Sequence, residues 1–182
     1  IVSTSPLLRD VVELEKSTLS PRSRRLFTLS AIFVATRALL ADVAEDDLSD
    51  HISTGTDYWE GISEGFTEWH HVREGKLSAG EVRKDFIHSH GTVLHALGKA
   101  GRAALSEGEP NWKDIGVSLA ELDWRRANTG VWEGRAMTAG RVSKSMNNVT
   151  LTANVIKSHL GLSLSPEEQR VEDAYLMPEN VS

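Results

Sequence analysis

The chain contains no run of alternating apolar and polar residues long enough to build a substantial strand. Several of its stretches instead repeat apolar side chains every three or four residues. That is the strongest constraint on the fold, because a period near 3.6 lines one helix face and a period of 2 lines one sheet face. The expected architecture is mainly α: a compact multi-helix domain over residues 1–182, with an irregular glycine-containing segment near 125–141. The chain opens on Ile1 rather than Met, as expected of a fragment or a processed product.

Ser20-Pro21 reads as a helix start, since Pro suits the first helical position. The helix predicted after it, about 21–43, carries Leu26, Leu29, Phe33 and Leu40 on one side. Ile32, Val34 and Leu39 widen that face until it is apolar nearly all round, the pattern of a central buried helix. A second helix is expected over 57–74, with Trp59, Ile62, Phe66 and Trp69 as its apolar stripe and Glu60, Glu64 and Glu68 along a polar face. Ser78 and Glu81 form a capping box ahead of a third helical stretch, broken near His90-Gly91. A short helix is expected over 111–121, another over 147–160 stopped by Gly161, and a last one from Ser165-Pro166 with Glu168 completing its capping box.

Composition narrows the chemistry. There is no cysteine, which removes disulfides, thiol nucleophiles and iron–sulfur ligation. No apolar run is long enough to span a membrane; the longest, from Leu26 to Val43, is interrupted by Thr28, Ser30, Thr36 and Arg37. No secretory leader pattern is visible, and a cytoplasmic location is expected. The formal net charge of −6 is unevenly spread. Residues 16–41 hold five basic and no acidic residues, 42–75 ten acidic and one basic, and 124–157 six basic and one acidic. Two cationic surfaces separated by an anionic one are expected, unless the blocks pair with each other inside the fold.

No phosphate-binding loop, dinucleotide fingerprint or nucleophile elbow occurs. Glu64, Glu68 and His71 share a helix face in this reading, as do Asp85 and His88, but neither group matches a metal signature. No metal or cofactor is therefore expected. The histidines of the middle of the chain invite a general-base reading, yet no partner stands at a diagnostic spacing. Trp124 and Trp132 lie among Arg125, Arg126 and Arg135, a mixture that suits stacking and backbone contacts with nucleic acid, although tryptophan is more often core.

The stretch GRVSKSMNNVTLTANVIKSHLG, residues 140–161, is the most suggestive. Val149, Ala153, Ile156 and Leu160 fall on one helix face and Thr150, Asn154 and Lys157 on another. Asn reads adenine bidentately, and Lys and Thr hold phosphate. Asn147, Asn148 and the first-turn amides add an anion site, with Arg141 and Lys144 as a clamp around it. The alternative is an ordinary packing helix.

Two stretches, LEKSTLSPRSRRLFTLSAI (14–32) and LDWRRANTGVWEGRAMTAGRVSKSMNNVTLTANVIKSHLGLSLSPEEQR (122–170), resemble the C-terminal half of the DndB family of DNA sulfur-modification proteins, within the DGQHR-domain group. The resemblance implies a bacterial transcriptional regulator that binds promoter DNA of a phosphorothioate-modification gene cluster and is not required for sulfur insertion itself. The DGQHR motif is absent from this chain. The lack of cysteine agrees with a role away from sulfur transfer, because a persulfide carrier needs a thiol. The expected partner is double-stranded promoter DNA, with other proteins of the modification cluster as further partners and no membrane. The expected DNA surface comprises Arg22, Arg24, Arg25, Arg125, Arg126, Arg135, Arg141, Lys144, Asn147, Asn148, Thr150, Asn154 and Lys157. Two other classes stand beside it: an interaction module docking a basic partner on the Glu60/Glu64/Glu68 face, and a hydrolase built on the histidines and carboxylates of the middle helices.

Overall fold

The computed structural model describes residues 1–43 and 48–177. Glu45, Asp46 and Asp47 of the acidic block lie outside the described residues. The chain is mainly α-helical, as its periodicity predicts. Among the described residues, ten helices run in the order α1 (Pro6–Val11), α2 (Leu29–Leu39), α3 (Leu48–Ser63), α4 (Thr67–Arg73), α5 (Ala79–Asp85), α6 (Gly91–Glu107), α7 (Trp112–Leu119), α8 (Thr129–Trp132), α9 (Met146–His159) and α10 (Pro166–Leu176). Two minimal sheets accompany them. The strands β1 (Val12–Glu13) and β2 (Phe27–Thr28) pair in parallel, and β3 (Met137–Thr138) pairs antiparallel with β4 (Arg141–Val142).

The central helix α6 packs against α2 on one side and α9 on another, while α3 packs on α7, α1 on α4 and α10 on α9. The aromatic side chains supply much of the core: Trp59, Trp69, Trp132, Tyr58 and Phe66 are all essentially inaccessible. Backbones approach closely at two crossings. A Cβ on Gly98 of α6 would stand 2.2 Å from the Ala35 carbonyl oxygen of α2, and one on Gly116 of α7 would stand 2.3 Å from the Gly61 carbonyl oxygen of α3. Neither backbone oxygen can rotate away. Gly98→Ala and Gly116→Ala are each expected to cost about 1–3 kcal/mol by forcing the helix pairs apart, read as a lower denaturant midpoint at unchanged m-value.

Local capping chemistry accounts for most boundaries. Ser78 and Ser165 each accept a hydrogen bond from the amide three residues on, and Glu81 and Glu168 complete the boxes. Asn111 caps α7, and Gly161 takes a φ of +71° just past α9. Three expectations are corrected. Pro21 does not start a helix: the Ser23 amide donates to the Ser20 carbonyl at 3.0 Å, so Ser20-Pro21 opens a turn with Pro at its second position. The N-cap of α2 is Thr28, which leaves Arg22, Arg24 and Arg25 on a loop. Nor is α2 buried all round, since Leu29, Phe33 and Val34 are exposed and Ile32, Ala35, Thr36 and Leu39 form its buried face.

The third correction concerns the helix expected over 57–74. It is two helices, α3 beginning at Leu48 and α4 at Thr67. The break divides the acidic face. The Glu60 carboxylate accepts from the Ser5 hydroxyl and the Leu7 amide at the start of α1, Glu68 turns toward His88, and Glu64 alone of the three is exposed.

Candidate nucleic-acid interface

Arg83 stands in the last turn of α5, where a cation complements the helix dipole. Its guanidinium reaches over the 20–25 loop. One terminal nitrogen donates to the Arg25 carbonyl, and the other to the Ser20 carbonyl at 2.9 Å, with the Pro21 and Ser23 carbonyls at 3.5 Å. Arg126 performs the same task on the opposite side. Its Nε donates to the Lys84 carbonyl at 2.9 Å, one terminal nitrogen to Arg83 at 3.2 Å and the other to Gly140 at 3.4 Å. The Arg126 amide also donates to the Asp85 carbonyl at 2.8 Å.

The two basic blocks, about a hundred residues apart in the chain, therefore meet at the C-terminal end of α5. Arg22, Arg24, Arg25, Lys84 and Arg141 are exposed around this junction, and exposed Lys144 follows β4. Among the described residues neither Arg83 nor Arg126 has a carboxylate within ion-pair distance. Carbonyl oxygens hold these two guanidinium groups without neutralising their charge, while the Glu133 carboxylate accepts from the Ala139 and Gly140 amides beside Arg141. His90, the N-cap residue of α6, has its Nε2 2.8 Å from the Arg83 carbonyl and 3.1 Å from Arg126. Burial lowers its pKa and keeps the ring neutral. A single ring nitrogen either donates or accepts, so only one of these two contacts is a hydrogen bond at a time.

The remaining predicted residues lie elsewhere or face inward. Arg125 is exposed but held by Asp123, whose carboxylate accepts from Nε at 2.8 Å and a terminal nitrogen at 2.6 Å. The hydrogen bonds and charge of Arg125 pull Asp123 down to about 2. Arg135 is mostly buried, paired with Glu172 at 2.6 Å and lying 4.3 Å from the Tyr175 ring centroid. Asn148 is buried; its amide nitrogen donates to the Arg135 carbonyl and its oxygen accepts from Ser143 and Ser145. Thr150 meets Lys99 Nζ at 3.1 Å. Asn154 donates to the Glu168 carbonyl and to Glu172, both at 3.0 Å, and Lys157 meets both Glu168 oxygens at 2.8 Å.

The polar face of α9 is thus an intramolecular one, covered by α10 rather than open to a ligand. Only Asn147 of its expected DNA-contacting residues is exposed. Trp124 and Trp132 are also inside, stacked on each other with ring centroids 5.1 Å apart and 14° between planes. They are core, not stacking platforms for bases.

Of the middle histidines, His88 is buried in the core. Trp69 Nε1 donates to His88 Nδ1 at 3.0 Å, which places the proton of the neutral ring on Nε2, 3.5 Å from a Glu68 oxygen. Burial holds the His88 pKa down, and the imidazole beside Glu68 pulls that carboxyl down in turn. Among the described residues no group of three or more metal-ligating side chains gathers. No helix among them is long and apolar enough to cross a membrane.

Arg83 and Lys84 were not singled out in the sequence. Basic residues at the end of a capped helix read as ordinary dipole complements, and contacts to backbone carbonyls leave no residue-type signature.

The fold is that of a mainly α-helical protein with exposed basic side chains grouped near the end of α5. A family model described as DndB: DNA-sulfur modification-associated matches residues 1–163. The chain belongs to the DndB family and is associated with DNA sulfur modification. No curated protein and no solved structure matches it significantly.

Proposed function

We propose that this protein is a DNA-binding transcriptional regulator of a DNA phosphorothioate-modification gene cluster, and that it grips promoter DNA with the junction at the end of α5. One observation carries the reading: Arg83 and Arg126 clasp two sequence-distant basic segments onto one surface and leave their side chains exposed. Arg22, Arg24, Lys84 and Arg141 are the principal phosphate contacts, with Arg25, Lys144 and Asn147 at the margin. Asn154 is buried and Thr150 engages Lys99, so phosphate contacts rather than base-edge contacts supply most of the affinity. Membership of the DndB family supplies the biological setting.

A gel shift with cluster-promoter duplex across a salt series tests this. About five phosphate contacts give a slope of log affinity on log salt of about −4 to −5. A flat salt response, or no complex at low salt, overturns the reading.

A further inference from the structure

A second surface, formed by the end of α6, α7 and the residues after α9, has the opposite character. It is an open groove of about 420 Å³, within the size range of ligand and side-chain pockets. Ala104, Ile115, Leu160 and Leu162 make an apolar floor. Glu107, Glu109 and Asp114 stand on it with no Lys, Arg or His in the lining. Glu107 accepts one hydrogen bond, from the Ser163 amide at 3.3 Å, and none of the three carboxylates has an ion-pair partner among the described residues.

Beneath the floor lies a cavity of about 10 Å³ that shares Ala104, Ile115 and Leu160 as its wall. Tyr58 lines this cavity, is 1% exposed, and its hydroxyl has no hydrogen-bond partner among the described residues. An apolar floor over a small unfilled space and unneutralised carboxylates beside it both lack a partner.

We propose that this groove docks a basic amphipathic protein segment, with an apolar anchor side chain pressing between Ile115 and Leu160 and flanking Lys or Arg residues meeting Glu109 and Asp114. Charge complementarity selects the occupant. Three carboxylates repel nucleic acid, and their neutralisation needs several cations on one molecule, which a protein segment provides. Val117, 56% exposed one turn beyond Asp114 on α7, extends the apolar contact. The anionic docking face is therefore here, not along Glu60, Glu64 and Glu68, which the α3–α4 break disperses. The inference stands independently of the DNA reading, because the two surfaces share no residue.

The probe is a short amphipathic helix of leucine and lysine, titrated into the full chain by calorimetry, with a leucine–glutamate helix of the same pattern as control. The lysine peptide is expected to bind with a salt-sensitive Kd and to slow amide exchange over 104–118. Glu109→Lys with Asp114→Asn should raise that Kd at least about tenfold, and Leu162→Asn should weaken binding without changing its salt dependence. Glu64→Lys, an exposed acid elsewhere, should leave it unchanged. Equal weakening by Glu64→Lys, equal binding of the glutamate peptide, protection that maps outside 104–118 and 160–163, or no binding overturns the proposal. So does a result in which a small cationic amphiphile such as dodecyltrimethylammonium occupies the groove and the peptide does not, which would make it a small-molecule site.

Discussion

Glu168→Ala should be among the most damaging single substitutions in the molecule, costing about 3–5 kcal/mol, the usual penalty for leaving a buried charge unpaired. Lys157 and Glu168 are only 8% and 9% exposed at their side chains, and Lys99 Nζ sits 3.7 Å from the same carboxylate. Removing it strands one buried ammonium and weakens the environment of a second. It also removes the N3 half of the α10 capping box, where Glu168 accepts from the Ser165 amide at 3.0 Å. Urea unfolding of the wild type, Glu168→Ala and the double variant Lys157→Met/Glu168→Leu separates these effects. The double variant removes both charges together and should recover much of the loss. A cost below about 1 kcal/mol for Glu168→Ala would mean that the pair behaves like a surface ion pair.

The same carboxylates set a pH dependence. Burial pushes Glu168 and Glu172 upward, but hydrogen bonds and charge from Lys157, Ser165 and Lys99 for the first, and from Arg135 and Asn154 for the second, outweigh it and leave both below the ordinary value of 4.5. A folded pKa below the unfolded one stabilises the fold at pH above the unfolded value. That contribution is lost as pH falls through the depressed folded value. Acid should therefore loosen the α9–α10 contact, and Glu168→Ala should show a shallower stability decline below pH 4.5 than the wild type.

How far the chain can be read without its fold follows from the range of the forces involved. The caps at Ser78, Ser165 and Gly161 are legible because each is completed within three or four residues. Ser20-Pro21 misleads for the same reason: a helix start and a β-turn ask for the same local chemistry. The polar face of α9 is harder still. Thr, Asn and Lys at helical spacing look alike whether they meet water, phosphate or another helix. Glu168 and Glu172, the partners that decide the matter, lie on α10, beyond the Gly161 stop. The charge blocks at 16–41 and 124–157 were visible as composition, but their convergence depends on Arg83 and Arg126 binding carbonyls, which every residue possesses.

That convergence yields the sharpest test of the proposed DNA surface. The reversals Arg24→Glu and Arg141→Glu fall one in each of the two basic segments; both arginines are exposed, and neither has a carboxylate partner within ion-pair distance among the described residues. Each reversal should lower promoter affinity about tenfold or more and flatten the salt slope by roughly one unit, because one phosphate contact is removed. Thermal stability should hold, since surface substitutions away from buried networks usually stay within about 0.5 kcal/mol. The double variant decides whether the two segments form one surface. If both touch the same duplex, the slope flattens by about two units and the affinity losses multiply. If the double variant binds no worse than Arg141→Glu alone, the 20–25 loop is outside the interface, and the clasp made by Arg83 serves the fold rather than DNA. If instead either reversal unfolds the protein, that arginine is structural. Glu64→Gln, which removes a negative charge outside the junction, should leave binding intact or strengthen it slightly.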